Sequence, residues 1–322
     1  MIVKCTEIEN IETKNKYINK LFREAVFFDI ETTGLSRLYS DIISITVLFM
    51  ENNTYKIYQL YCEYKIDEKE VIKLLEELIK SKKYIITYNG NSFDIPFIMN
   101  KCRKYELSFD LDSFIKIDLY RDMKSIHNKI DTDNLKLKTV EEFFKIKRKD
   151  TITGQDVLVL YEAYCIEPRK EFSEIILQHN YEDVYNLPIL FKKVINLYDK
   201  VISYNNLILK INFSDFSFKK NTLTGFYHIV TCLEKNYIHR SLDFDLELDI
   251  ISQLLKINIP IKFYKDQKIK EFYYLNSDDY NILNYTTIEG IKRNLIPLKF
   301  NDQVYNENIL SVMESIMNLI FK

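Results

Sequence analysis

The sequence predicts a mixed α/β sheet flanked by helices, followed by a smaller β-rich α+β unit. Three observations carry this. Apolar runs of strand type crowd residues 25–62, with short connections between them. From residue 68 the apolar period becomes helical and then alternates with short strands, which indicates a mixed sheet. After residue 200 the texture returns to short alternating runs, closed by one amphipathic helix. The division that follows is a polar lead-in at residues 1–21, an α/β domain at 22–200 and a β-rich α+β domain at 201–322.

Each element has its own local signal. Strand patterns cover Ala25–Glu31, Asp41–Glu51 and Thr54–Cys62, with Asn52-Asn53 as the turn between the last two. Glu68–Lys80 places Val71, Ile72, Leu74, Leu75, Leu78 and Ile79 in a helical apolar set. Tyr84–Tyr88 is a short strand that stops at Asn89-Gly90. Pro96 suits the first turn of a helix running to Tyr105, where its missing N–H is not needed. Phe114–Leu119 reads as a strand and Leu135–Phe144 as a helix. A long helix covers Phe172–Leu197, and Pro188 within it is expected to kink it. Beyond it, Asn206–Phe213, Thr222–Thr231, Ser241–Asp249, Pro260–Tyr264 and Lys270–Leu275 are expected strands, and Asn306–Phe321 a closing helix.

Composition bounds the function. Of 322 residues, 47% are hydrophobic and 29% charged, so a sizeable core is available and global disorder is excluded. The net charge of −2 lacks the strongly basic signature of a dedicated nucleic-acid binder, so any strand contact has to use local basic patches. The densest basic run is Lys145-Ile146-Lys147-Arg148-Lys149, a candidate backbone contact or a solvated face. Cys5, Cys62, Cys102, Cys165 and Cys232 are scattered and form no Cys-x-x-Cys pair, which fits a reducing cytoplasm. The first twenty residues are too polar for a signal peptide, and no apolar run is long enough to span a bilayer, so no membrane is expected.

The chemistry centres on Val26-Phe27-Phe28-Asp29-Ile30-Glu31-Thr32-Thr33-Gly34-Leu35. In a strand, residues two apart share a face, so Asp29 and Glu31 point the same way. Two such acids repel each other, and a divalent cation with a taste for hard oxygen ligands relieves that. Gly34 lets the chain turn away just past them. A second acid, Asp94, lies in Asn89-Gly90-Asn91-Ser92-Phe93-Asp94-Ile95-Pro96 at a helix start, where capping is the alternative job. A third element, His179-Asn180-Tyr181-Glu182-Asp183, puts His179 and Asp183 one turn apart on one helix face. Any one of these alone is more often a solvated or capping acid.

Together the three blocks resemble the DEDD-type 3′–5′ exonucleases of the RNase H-like superfamily, in order and in spacing. The intervening pieces resemble its YprB-like branch: Leu137-x-x-Val140-Glu141, Ile146-x-Arg148, Gly154, Tyr161-x-x-Tyr164 and His179-Asn180-x-x-Asp183-Val184. The resemblance covers residues 22–197. It implies an RNase H-like sheet in which Asp29, Glu31, Asp94 and Asp183 bind two divalent ions, Mg²⁺ or Mn²⁺, about 3.5–4 Å apart. It further implies hydrolysis of nucleic acid at single-stranded 3′ ends, releasing nucleoside 5′-monophosphates.

One position departs from the best-known patterns. There a Tyr stands four residues before the last Asp, or a His five before it; here His179 stands four before and Gln178 five before. His179 is the expected water-positioning base. Its rival Tyr181 points about 200° away by helical periodicity. Asp118, at a strand end, either supports the site or caps the following helix. Phe93 and Phe97 flank Asp94 and either wall a nucleotide or pack in the core. Two other readings stay open: a nucleic-acid-binding scaffold without turnover, and a structure-selective endonuclease using the same site. DNA and RNA are not distinguished, and residues 201–322 carry no legible role.

Overall fold

A computed structural model describes residues 1–204, 207–231, 235–266, 271–280, 286 and 288–321. The chain divides into two compact units, Met1–Leu197 and Tyr198–Lys322.

The first unit opens with β1 (Ile2–Ile8), α1 (Lys16–Glu24), β2 (Ala25–Thr32), β3 (Ile42–Glu51) and β4 (Thr54–Tyr61). Then come α2 (Glu68–Ile79), β5 (Tyr84–Thr87), α3 (Asp94–Tyr105), β6 (Ile115–Asp118) and α4 (Leu119–Ser125). It closes with α5 (Leu137–Phe143), α6 (Gly154–Ile166) and the long α7 (Lys170–Ile195). Its six strands lie in the order β1-β4-β3-β2-β5-β6. The β1, β4, β3 and β2 side is antiparallel, while β5 and β6 run parallel to β2. The sheet is therefore mixed, and β2 is the strand where the two patterns meet.

Helices cover both faces. Leu75, Ile79, Phe97 and Ile98 from α2 and α3 pack with Val26, Phe28, Ile45 and Val47. Val157, Tyr161, Ile176 and Leu177 from α6 and α7 pack with Ile43 and Tyr61. Burial on both faces explains why β3 reads as a near-continuous apolar run.

Two features of this unit differ from the sequence reading. The expected lead-in at residues 1–21 is built into the fold: Ile2–Ile8 add an edge strand along β4, and Lys16 onward forms α1. A chain segment as polar as Val3-Lys4-Cys5-Thr6-Glu7 pairs there because the ladder satisfies its backbone and an edge tolerates charge. Helix α6 carries no strong sequence signal because its buried stripe is only Val157, Tyr161 and Tyr164. Thr153 and Asp156 close a capping box at its start. Helix α7 continues through Pro188 to Ile195.

The second unit is antiparallel among its described residues. One sheet holds β7 (Lys200–Tyr204), β8 (Leu207–Ile211), β9 (Phe216–Lys219), β10 (Thr222–Thr231), β11 (Tyr237–Arg240), β12 (Asp245–Asp249) and β13 (Leu254–Pro260). The other holds β14 (Lys262–Tyr264), β15 (Phe272–Asn276), β16 (Leu295–Phe300) and β17 (Gln303–Val304). Helices α8 (Ser277–Tyr280) and α9 (Asn306–Ile320) complete it. The strand expected over Ser241–Asp249 begins only at Asp245, because the Ser241 hydroxyl accepts from the N–H groups of Asp243 and Phe244 and makes a turn. Asn206, Lys270 and Cys232 lie outside the described residues; the four described cysteines are free thiols. Among the described residues, no helix is long and apolar enough to cross a membrane.

The segment that follows β2 is held by a buried ion pair. The Lys101 ammonium, fully buried on α3, lies 3.1 Å from Glu68 and 3.3 Å from Asp41, and donates to the Ser40 carbonyl. Glu68, also fully buried, accepts the Ile42 N–H at 2.8 Å and the Tyr105 hydroxyl at 2.5 Å. Replacing Lys101 with Met removes the buried cation from Glu68 and leaves it only the partly exposed Lys104 ammonium, 3.3 Å away. Denaturant unfolding of Lys101→Met should show a loss of about 3–5 kcal/mol, the usual cost of removing one partner of a buried pair. A loss under about 1 kcal/mol would mean that Lys104, Tyr105 and the backbone suffice to satisfy Glu68.

Candidate active site

Asp29 and Glu31 stand on one face of β2, opposite Thr46 and Ser44 of β3. Helix α7 lies over that face. Its fully buried Asn180 donates to Asp29 Oδ2 at 2.7 Å. The Asn180 carbonyl oxygen accepts from Thr46 at 2.6 Å and Ser44 at 3.0 Å. The residues either side of Asn180 on the same helix deliver His179 and, one turn on, Asp183 to the same place.

Asp94 arrives from the other side. The β2–β5 ladder ends at Phe27, and the Ile30 N–H beyond it is taken by Asp94 Oδ1 at 3.1 Å. Asp94 is the first residue of α3, after the N-cap Phe93, whose side chain makes no capping hydrogen bond. The turn leading to it is tight. Asn89 is left-handed, and a Cβ on Gly90 would sit 2.6 Å from the Thr87 side chain. Asp118 holds this turn by accepting the N–H groups of Asn89 at 2.7 Å and Asn91 at 3.3 Å, and it also caps α4 at Tyr120. The two jobs considered for Asp118 are both done. On the other side of the acids, a Cβ on Gly34 would sit 2.8 Å from the Ser40 hydroxyl.

The acids strain against one another. Burial, then repulsion from Asp94, Asp183 and Glu31, raises the Asp29 carboxyl well above its ordinary range, against the hydrogen bond from Asn180. Burial, then Asp183, Asp94 and Asp150, raises Glu31 likewise. Asp94 is pushed up to about 7, mainly by burial, with the Ile30 N–H opposing. A cluster of carboxylates that resist ionising is what a bound cation relieves, and its hard oxygen donors suit a divalent cation. Glu31, His179 and Asp183 each offer a ligand atom within 4.8 Å of the others. The residues present therefore fit divalent ions.

His179 Nε2 lies 3.4 Å from Glu31 Oε1 and 3.7 Å from Asp183 Oδ2, while Nδ1 lies 2.8 Å from Asp150 Oδ2. Tyr181 is elsewhere: it stacks on Tyr185, with ring centroids 5.6 Å apart. Phe97 is buried in the core, and Phe93, half-buried, packs against it.

Three charged neighbours escape sequence reasoning. Arg148, in the middle of the basic run, turns inward. Its guanidinium reaches Asp183 at 2.6 Å, Glu141 at 2.7 Å and Asp150 at 2.8 Å. Lys145, Lys147 and Lys149 stay exposed, so the run is not one surface. Glu141 is pushed up to about 7 by burial, against the pull of Arg148. Glu182, buried on α7, clamps the backbone of this segment by accepting from the N–H groups of Lys149 at 2.8 Å and Asp150 at 3.2 Å. An arginine flanked by lysines carries no sign that it faces inward. The one available signal is that Glu141, Arg148 and Asp183 all fall in the family-like pieces of the sequence.

A family model described as the RNase_H superfamily matches residues 26–195. A PolC-type DNA polymerase III from Caldanaerobacter subterraneus subsp. tengcongensis is 28% identical over 228 residues, 57% of this chain and 15% of that protein. Its counterpart from Mycoplasma genitalium is 30% identical over 104 residues, 26% of this chain and 7% of that protein. The chain thus spans only a small part of the length of these relatives. Among solved structures, the family B DNA polymerase of Pyrobaculum calidifontis aligns with a TM-score of 0.44 at 16% identity, over 53% of this chain and 24% of that one.

The burial of Asp94 has a measurable consequence. A carboxyl whose pKa is raised by folding stabilises the fold while protonated, fully below its unfolded pKa near 4, and that contribution is lost as pH rises through the folded value. For Asp94 the window runs from about 4 to about 7. Metal-free Asp94→Asn, which keeps an acceptor for Ile30, should therefore gain stability over the native chain as pH rises from 5 to 8, by on the order of 2 kcal/mol. Melting temperatures at the two pH values in chelator check this. An unchanged gap between the two proteins would show that Asp94 ionises freely.

Proposed function

This chain belongs to the RNase_H superfamily, and from that premise we propose that it is a metal-dependent 3′–5′ exonuclease acting on single-stranded ends of DNA or RNA. The observation that carries the reading is the meeting of Asp29 and Glu31 on β2, Asp94 on α3 and Asp183 on α7, three of them with carboxyls raised first by burial and then by neighbouring carboxylates. The stretches shared with PolC-type DNA polymerases support nucleic acid as the substrate class. The His179-Asn180-x-x-Asp183 block favours the YprB-like branch within the superfamily.

Asp29, Glu31, Asp94 and Asp183 would hold two Mg²⁺ or Mn²⁺ ions. Bound there, the ions supply Lewis-acid stabilisation of the charge that develops at phosphorus and make water a better nucleophile. The protein's own groups do the rest. Asn180 keeps Asp29 aimed across the sheet face. Arg148 balances the acids on the α7 side. His179, with Nε2 facing Glu31 and Asp183, takes the proton from the attacking water. The leaving 3′ nucleotide departs with the phosphate as a nucleoside 5′-monophosphate.

End-labelled DNA and RNA oligonucleotides, digested with Mg²⁺ or Mn²⁺, should shorten one nucleotide at a time from the 3′ end. Asp29→Asn should abolish this and keep the fold, because it removes a repelling charge while its amide oxygen can still accept from buried Asn180. Internal cuts would mark a structure-selective endonuclease, and binding without cleavage a scaffold.

His179→Ala should lower kcat by about 10²–10⁴, the usual worth of a positioned general base. A variant that retains the native rate with metal saturating removes His179 from this role.

A further inference from the structure

We propose that Asp150 is a positioning residue that locks His179 in the tautomer with Nδ1 protonated, leaving a bare Nε2 directed between Glu31 and Asp183. The inference rests on the reading of His179 as the base and gives it a cause. Asp150 Oδ2 receives the Lys138 ammonium at 2.9 Å and the Arg148 guanidinium at 2.8 Å, as well as His179 Nδ1 at 2.8 Å. Its Oδ1 accepts the Ile152 N–H at 2.9 Å. An ionised carboxylate surrounded by donors has no proton to give, so the hydrogen in the contact with His179 has to be on Nδ1. A neutral imidazole carries one N–H, and Nε2 is then the acceptor.

The arrangement is built rather than incidental. The Asp150 side chain is 2% exposed and that of His179 5%. Water therefore does not compete for either end of the hydrogen bond. Loop and helix hold each other reciprocally. Glu182 of α7 grips the backbone N–H groups of Lys149 and Asp150, while Arg148 and Asp150 from that loop grip Asp183 and His179 of α7. The second nitrogen partner that orients a functional imidazole is supplied here from 29 residues earlier in the chain. Without it, an imidazole has no reason to keep its proton on Nδ1, and the ring is free to turn Nε2 away from the acids.

The test uses the 322-residue chain labelled with ring-¹⁵N histidine, saturated with Mg²⁺ at pH 8, and long-range ¹⁵N–¹H correlation spectra. The sequence has four histidines, and His179→Gln identifies the signal of interest. The native protein should show His179 with a protonated, pyrrole-type Nδ1 and an unprotonated, pyridine-type Nε2. Asp150→Ala should move His179 towards the Nε2–H form or a mixture, and Asp150→Glu should restore the native pattern at least in part. On oligonucleotides, Asp150→Ala should lose about 10–100-fold in kcat with KM little changed, the range seen when the partner of a functional histidine is removed. A native spectrum with the proton on Nε2 overturns the proposal outright, even if Asp150→Ala proves unfolded. So does a folded Asp150→Ala that keeps the native tautomer. If no oligonucleotide is cleaved by the native chain, the nuclease reading fails, while the spectra still decide the role of Asp150.

Discussion

The structure depends on how α7 docks on the sheet, and Asn180 sets that docking. Its amide is fully buried, so both ends must find partners. Ser44 and Thr46 on β3 donate to its oxygen, which obliges its nitrogen to face Asp29 on β2. One side chain thereby spans two strands and a helix. A further hydrogen bond, from Gln59 of β4 to the Leu177 carbonyl at 2.6 Å, pins the helix across a third strand. A rotation of α7 by one residue, about 100°, would break these bonds and carry His179 and Asp183 away from the acids of β2.

The docking brings like charges together, and most of the surrounding polar structure answers that. Arg148 and Lys138 are the counter-charges on the α7 side. Arg148 is better suited than a lysine, since its planar fork bonds Glu141, Asp150 and Asp183 at once. These cations hold Asp150 well below the usual carboxylate range, although its burial acts the other way. On the β2 side the compensation is weaker: burial, then neighbouring carboxylates, raise Asp29, Glu31 and Asp94, against the hydrogen bonds of Asn180 and Ile30 and, at Glu31, the Lys138 charge. The site is thus compensated at its rim and under-compensated at its centre, which leaves a place for added positive charge.

The supports lie far from one another in sequence. Lys101 and Glu68 hold the start of β3 and the loop before it, so the chain leaves β2 in one direction. Asp118 holds the turn that precedes Asp94. Glu182 holds the loop that carries Arg148 and Asp150. Each is a carboxylate buried against backbone N–H groups, a use that satisfies otherwise stranded donors and makes the loop geometry stiff.

The acids Asp29 and Glu31 were legible in sequence because strand alternation alone puts i and i+2 on one side. The i, i+4 pairing of His179 and Asp183 was legible for the same local reason in a helix. The mixed α/β order followed from where the apolar period changes. Local periodicity says nothing about what lies across a gap, and there the tertiary structure decided. It made Ile2–Ile8 an edge strand, because a ladder partner rather than its own apolar content holds it. It turned Arg148 inward from a run of lysines, because only the packed loop exposes it to three carboxylates. It set Asp150 behind His179, across 29 residues, where burial lets a single hydrogen bond determine which nitrogen faces the acids.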